Sequence, residues 1–97
     1  MERLAILATV EAKPGKEKAV EDFLKSALPL AQAEQGTVRW YAVKIDKSRF
    51  AIFDTFADEA GRKAHLSGEI AKALMANASE LLATPPSIEQ VEVLASK

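Results

Sequence analysis

Two side chains in the stretch FDTFADEAGRKAHL, Phe53 to Leu66, are suited to acid–base chemistry. Asp54 is a carboxylate inside an aromatic run, and His65 is the only histidine of the chain. An imidazole titrates close to neutral pH, so it can take or release a proton there. A nearby carboxylate orients such a ring and stabilises its protonated form. Both residues also have plain structural readings. A lone histidine on an amphipathic helix is often only partly buried or capping. A buried Asp54 needs partners, and Arg49, Arg62, Lys63 or backbone N–H groups at the strand end are the candidates.

Composition closes off other chemistries. The chain has no cysteine, which excludes thiol catalysis and a disulfide framework and fits a reducing, cytoplasmic setting. One histidine without cysteine leaves a structural zinc site without ligands, so no metal is expected. Net charge is −1, with acids and bases mixed along the 97 residues. A nucleic-acid binder would show a basic stripe, so no such partner is expected. The apolar start MERLAILATVEAK is interrupted by Glu11 and lacks a small-residue cleavage pattern, so it reads as a strand. No segment approaches the length of a membrane span, and no membrane partner is expected.

The elements that must position Asp54 and His65 follow from periodicity. Arg3 to Lys13 alternates, with Leu4, Ile6, Ala8 and Val10 on one face and Ala5, Leu7 and Thr9 on the other. Pro14-Gly15 ends this strand. The next segment has helical period, with Val20, Phe23, Leu24, Ala27, Leu28 and Ala31 on one stripe. Pro29 is expected to kink or interrupt it near its C-terminal end, and Gly36 marks its exit. Thr37 to Asp46 and Arg49 to Ala57 read as a hairpin around Asp46-Lys47-Ser48. Asp58 caps a second helix that breaks at Ser67-Gly68, resumes, and ends by Pro85-Pro86. Ser87 to Ala95 is the last strand. The order βαββαβ predicts a single α+β domain over residues 1–97, a ferredoxin-like sandwich with a four-stranded antiparallel sheet.

A sheet with helices on one face should be polar on the other. Here Phe50, Ile52 and Phe56 share a face with Asp54, yet Ala51 and Phe53 make the opposite face apolar too. A second copy of the same sheet is the simplest cover, which predicts a two-fold homodimer. Arg39 shares the face of Tyr41 and is a candidate for an ion pair across that dimer.

The segments VEAKPGKEKAVEDF, AEQGTVRWYAV and FAIFDTFADEAGRKAHL, in this order and spacing, resemble the antibiotic biosynthesis monooxygenase family over nearly the whole chain. Those proteins are dimeric α/β barrels that include quinol monooxygenases. The resemblance implies a pocket inside each subunit, between the helices and the sheet. It implies that His65 faces this pocket as base or hydrogen-bond partner, with Asp54, where glutamate is more usual, as its orienter. Trp40, Phe50 and Phe56 are then its walls, and Arg62, one turn before His65, is a candidate for an anionic substrate group. Trp40 and Tyr41 point to opposite faces of one strand, and the resemblance favours Trp40 for the pocket.

The implied activity is oxidation of a small aromatic molecule, a quinol or polycyclic phenol, by O2 without cofactor. Deprotonating a hydroxyl makes an anion that passes one electron to triplet O2, after which the radicals combine. Haem-degrading relatives carry an asparagine in the first strand and a tryptophan at the end of the third. Ala8 and Phe56 stand at those positions here, which disfavours haem oxidation. A non-enzymatic binding or stress-associated module and an isomerase of a small metabolite are the alternatives that the same fold offers.

Overall fold

The computed structural model describes residues 2–97. Strand β1 (Leu4–Glu11) ends at a turn in which Gly15 adopts φ +86°, a left-handed conformation that suits glycine. The Glu17 carboxylate accepts the Gly15 N–H at 2.9 Å and opens α1 (Glu17–Ser26). Helix α2 (Leu28–Ala33) restarts after Ala27 with Pro29 in its first turn, where a missing N–H breaks no helical bond. Pro29 therefore begins a short second helix and does not kink the end of the first.

Strands β2 (Thr37–Lys44) and β3 (Arg49–Phe56) form the hairpin. Asp46 closes its turn by accepting the N–H groups of Ser48 and Arg49, at 3.1 and 2.9 Å, and Arg49 Nε at 2.8 Å. Asp58 caps α3 (Glu59–Leu66) by accepting the Gly61 N–H at 2.8 Å. After the break at Ser67-Gly68 come α4 (Glu69–Leu81) and β4 (Ser87–Glu92).

The sheet order is β2-β3-β1-β4, with every neighbouring pair antiparallel. Ile6 of β1 and Trp40 of β2 stand opposite Asp54 on either side of β3, so all three share the helix-covered face. The main core lies there: Ala8, Val10, Phe50 and Ile52 pack under Val20, Leu24 and Leu74. Ala27, Ala31 and Ile70 form a second cluster against Trp40. Each large aliphatic or aromatic side chain so buried contributes about 1.5–3 kcal/mol. Lys13 N–H donates to the Leu81 carbonyl at 2.9 Å and Ala83 N–H to that of Glu11 at 2.8 Å, fixing the end of α4 to β1.

The opposite face carries Leu7 and Phe53, half-buried, and Tyr41 and Val43, exposed. Glu2 folds over one end of it and accepts Arg39 Nε at 3.1 Å and Thr55 Oγ1 at 3.2 Å. Arg39 is thus paired within its own chain. Among the described residues no helix is long and apolar enough to cross a membrane.

One backbone contact sets where α3 lies. A Cβ on Gly36 would fall 2.6 Å from Gly61 Cα, and a Cβ on Gly61 would fall 2.8 Å from the Gly36 carbonyl oxygen. That oxygen also accepts the Ala57 N–H at 3.1 Å. The turn before β2 therefore rests directly on the first turn of α3. Replacing a helical glycine by alanine ordinarily stabilises by about 0.5–1 kcal/mol. Gly61→Ala is expected to do the reverse and cost about 1–3 kcal/mol through overpacking. Urea denaturation checks the sign, and a gain in stability would show that the contact yields freely.

Candidate active site

His65 projects from the last turn of α3 and meets two carboxylates. Its Nε2 lies 2.9 Å from Asp54 Oδ2, and its Nδ1 lies 2.7 Å from Glu34 Oε1. Asp54 is wholly buried and His65 only 8% exposed, so the Asp54 contact is made away from water. Glu34 follows directly on α2, and its Oε1 also accepts Thr37 Oγ1 at 2.7 Å. Gly68 leaves room for this carboxylate, because a Cβ there would stand 3.2 Å from Glu34 Oε2. The Phe56 ring packs against the imidazole, with centroids 5.2 Å apart.

The protonation of the ring follows from its neighbours. A carboxylate only accepts hydrogen bonds, so Glu34 calls for a proton on Nδ1 and Asp54 for one on Nε2. A neutral ring would turn a lone pair toward one of them. Burial disfavours the charged ring, but hydrogen bonding and charge from Asp54 and Glu34 outweigh it and raise its pKa to about 8. At pH 7 His65 is an imidazolium with both nitrogens engaged. Each ring nitrogen faces a carboxylate, so neither is left open. The Nε2–Oδ2 contact is a close ion pair whose N–H does not point along the line, and neither Asp54 oxygen has a directed hydrogen bond among the described residues.

Asp54 and His65 belong to the wall of a cavity between the sheet and α4, with about 540 Å³ of empty space, its mouth included. The rest of the lining is hydrocarbon or thioether, from Ile6, Ala8 and Ile52 on the sheet to Ile70, Leu74 and Met75 on α4. The expected aromatic walls lie elsewhere. Trp40 packs its indole against Ala27, Ala31 and Ile70. Phe50 is fully buried in the core with Leu24, and Phe56 backs the imidazole. Arg62 pairs with Glu59 at 2.8 Å, and its Nη1 lies 3.4 Å from the Ala5 carbonyl oxygen. It does not line this cavity. Alternation places a residue on a face, but large aromatic side chains on that face are drawn into the core by the area they bury.

Glu34 is the residue that sequence reasoning missed. The visible signal was a carboxylate in AEQG, two residues before the helix-exit glycine. Its partner lies 31 residues away, beyond any local periodicity. Among the described residues no group of three or more histidine, aspartate or glutamate side chains is placed to hold a metal ion. Glu34 and Asp54 instead occupy different nitrogens of the same ring.

A sequence model of the family described as antibiotic biosynthesis monooxygenase matches residues 3–77. Among solved structures, a protein of unknown function from Nitrosomonas europaea is 62% identical, with TM-score 0.96 over 100% of this chain and 94% of its own. A Pseudomonas aeruginosa protein is 25% identical, with TM-score 0.82 over 98% of this chain and 97% of its own. A Mycobacterium tuberculosis protein at 18% identity has TM-score 0.84 over 97% of each chain, a likeness of fold alone. No curated protein matches the chain.

The ring's environment has a measurable sign. Its folded pKa of about 8 lies above the ordinary 6.5, so its contribution to stability is complete below pH 6.5 and is lost as pH rises through 8. The difference is at most about 2 kcal/mol. Urea denaturation is expected to give lower stability at pH 9 than at pH 6. An NMR titration of the single imidazole is expected to have its midpoint near 8 and to move down in Glu34→Gln. A midpoint at or below 6.5 would contradict a ring held charged between two carboxylates.

Proposed function

The chain belongs to the antibiotic biosynthesis monooxygenase family, and on that premise we propose that it is a cofactor-independent monooxygenase that oxidises a quinol-like or polycyclic aromatic molecule with O2. The observation that carries this reading is the Asp54–His65 ion pair, 2.9 Å apart, in the wall of an otherwise aliphatic cavity. A mostly aliphatic cavity with a few convergent polar groups suits a flat, hydroxylated ring.

In this reading the carboxylate of Asp54 takes the proton of the substrate hydroxyl. The imidazolium beside it then offsets the negative charge that develops on the substrate oxygen. The resulting aryloxide passes one electron to O2, and the radical pair closes a carbon–oxygen bond to give a peroxide anion. Proton return from Asp54 gives the hydroperoxide. Loss of water leaves a carbonyl at the attacked carbon, so one atom of O2 stays in the product and the other leaves as water with two substrate hydrogens. Glu34 holds the ring charged and fixed from outside the cavity.

We place the protein in the reducing cytoplasm, in keeping with its lack of cysteine. The apolar sheet face with Leu7, Phe53, Tyr41 and Val43 is the proposed contact between two copies, which would close the dimeric barrel. Light scattering at micromolar concentration is expected to give twice the 10.5 kDa chain mass, and a monomer would overturn that assembly.

Oxygen uptake with a panel of naphthoquinols and anthrones, corrected for autoxidation without protein, tests the activity. Protein-dependent uptake is expected, falling at least about tenfold in His65→Ala, equivalent to about 1.4 kcal/mol of transition-state stabilisation. Uptake that is indifferent to the protein or to His65 would count against this reading.

A further inference from the structure

We propose that Trp40 is a positioning residue for Asp54: its indole N–H is the second donor to that carboxylate, beside the imidazolium of His65. The proposal deepens the oxygenase reading above by adding a residue to its base, and it rests on that reading only for what Asp54 does to a substrate.

Four buried side-chain atoms have no directed hydrogen bond among the described residues, and three of them belong to Trp40 and Asp54: the indole Nε1 and both carboxylate oxygens. The first is a donor that cannot accept, and the others are acceptors that cannot donate. Buried groups of this kind are costly when unpaired, and native structures seldom leave them so. Trp40 and Asp54 stand directly opposite each other in the register of β2 with β3. Side chains so opposed start from Cβ atoms about 4.5–5.5 Å apart, within reach of an indole. Ile70 places the two in one neighbourhood, because it packs against Trp40 and also lines the cavity that Asp54 borders.

The neighbouring side chains offer no better pairing. Ala27, Ala31 and Ile70, buried against the indole, carry no acceptor. On its outer side Thr37 is already committed to Glu34, and Gln32 is exposed. Across β3 from Trp40, Ile6 stands opposite Asp54 and carries no donor. Arg62, whose Nε is the fourth unpaired atom, gives its guanidinium to Glu59 and the carbonyl oxygens of Ala5 and Val91. The indole N–H and the Asp54 carboxylate are the complementary pair on this face. A slight turn of either side chain, or one water between them, joins them.

His65 touches only Oδ2, which leaves the carboxylate free to turn about its last bond. A second donor at Oδ1 fixes that rotation. A carboxylate has about four lone-pair sites, so two donors still leave room for a substrate proton. The indole also takes up part of the negative charge, which weakens the hold of Asp54 on the imidazolium.

The test needs no substrate. The single indole N–H and the single imidazole are followed in the 15N-labelled chain. Trp40→Phe keeps a flat apolar ring and removes the donor. The full charge of Asp54 then falls on His65, so the proton affinity of the ring is expected to rise about two- to tenfold and its midpoint to move up. Ile70→Val loosens the same cluster with the N–H intact and is expected to leave the midpoint in place. In Asp54→Asn the indole N–H is expected to move upfield, and adding Trp40→Phe to it is expected to change the proton affinity by less than about twofold. A midpoint unmoved or lowered in Trp40→Phe, an equal rise in Ile70→Val, or an indole signal indifferent to Asp54→Asn would each overturn the proposal. Should Asp54→Asn fail to fold, the other two variants decide alone. Oxygen uptake judges the oxygenase reading separately: a chain without uptake whose midpoint rises in Trp40→Phe keeps this bond and loses the activity, and the converse holds for a chain with uptake and an unmoved midpoint.

Discussion

A charged imidazole held between two carboxylates is the constraint on which this structure turns. Asp54 is buried completely on the covered side of the sheet. An isolated carboxylate there would carry a desolvation penalty of several kcal/mol, so the position is tenable only with a cation beside it. His65 supplies that cation, and Glu34 makes the supply dependable by favouring the proton on the other nitrogen. Hydrophobic burial would tolerate small shifts of α3 along the sheet. The ion pair and hydrogen bond tolerate far less, because both depend on placing two ring nitrogens at once. The exposed pairs Lys18–Asp22 and Lys25–Glu21 on α1 have no such leverage. Pairs of this kind contribute about 0–1 kcal/mol.

Much of the fold could be read before any coordinates, because the signals are local. Alternation in Arg49 to Phe56 put Asp54 on the helix side, and the register with Ile6 and Trp40 agrees. Asp58 announced α3, and Ser67-Gly68 announced its end. Pro29 was harder to interpret. A proline inside a helical pattern can end one helix or begin the next, and periodicity does not distinguish these, since both pieces keep the same apolar stripe.

The site was legible only in part. A meeting of Asp54 with His65 was an expectation implied by the family likeness, beside other partners for Asp54 that the sequence left open. Glu34 did not follow, because a contact made through tertiary structure leaves no periodic trace. The aromatic side chains misled for a different reason. Phe50 and Phe56 do face the helices, but their large apolar area places them in the core or behind the ring. Face is a property of the strand, whereas depth depends on what the opposing helix leaves open. At the cavity, α4 leaves the space to smaller or more flexible side chains: Ala8, Ala71 and Met75.

The two sides of the cavity come from different parts of the chain. The charged groups ride on β3, α3 and the turn after α2, and the Gly36–Gly61 contact locks the last two together with no room for a side chain. The facing wall comes from α4 and β4, where Met75 and Ile88 are substantially exposed and bear no charge. The shape of the chamber can therefore be redrawn by substitutions on α4 and β4 while the protonic apparatus stays untouched. Exchanges on that wall would alter the outline the chamber admits, while the paired charges opposite keep their places.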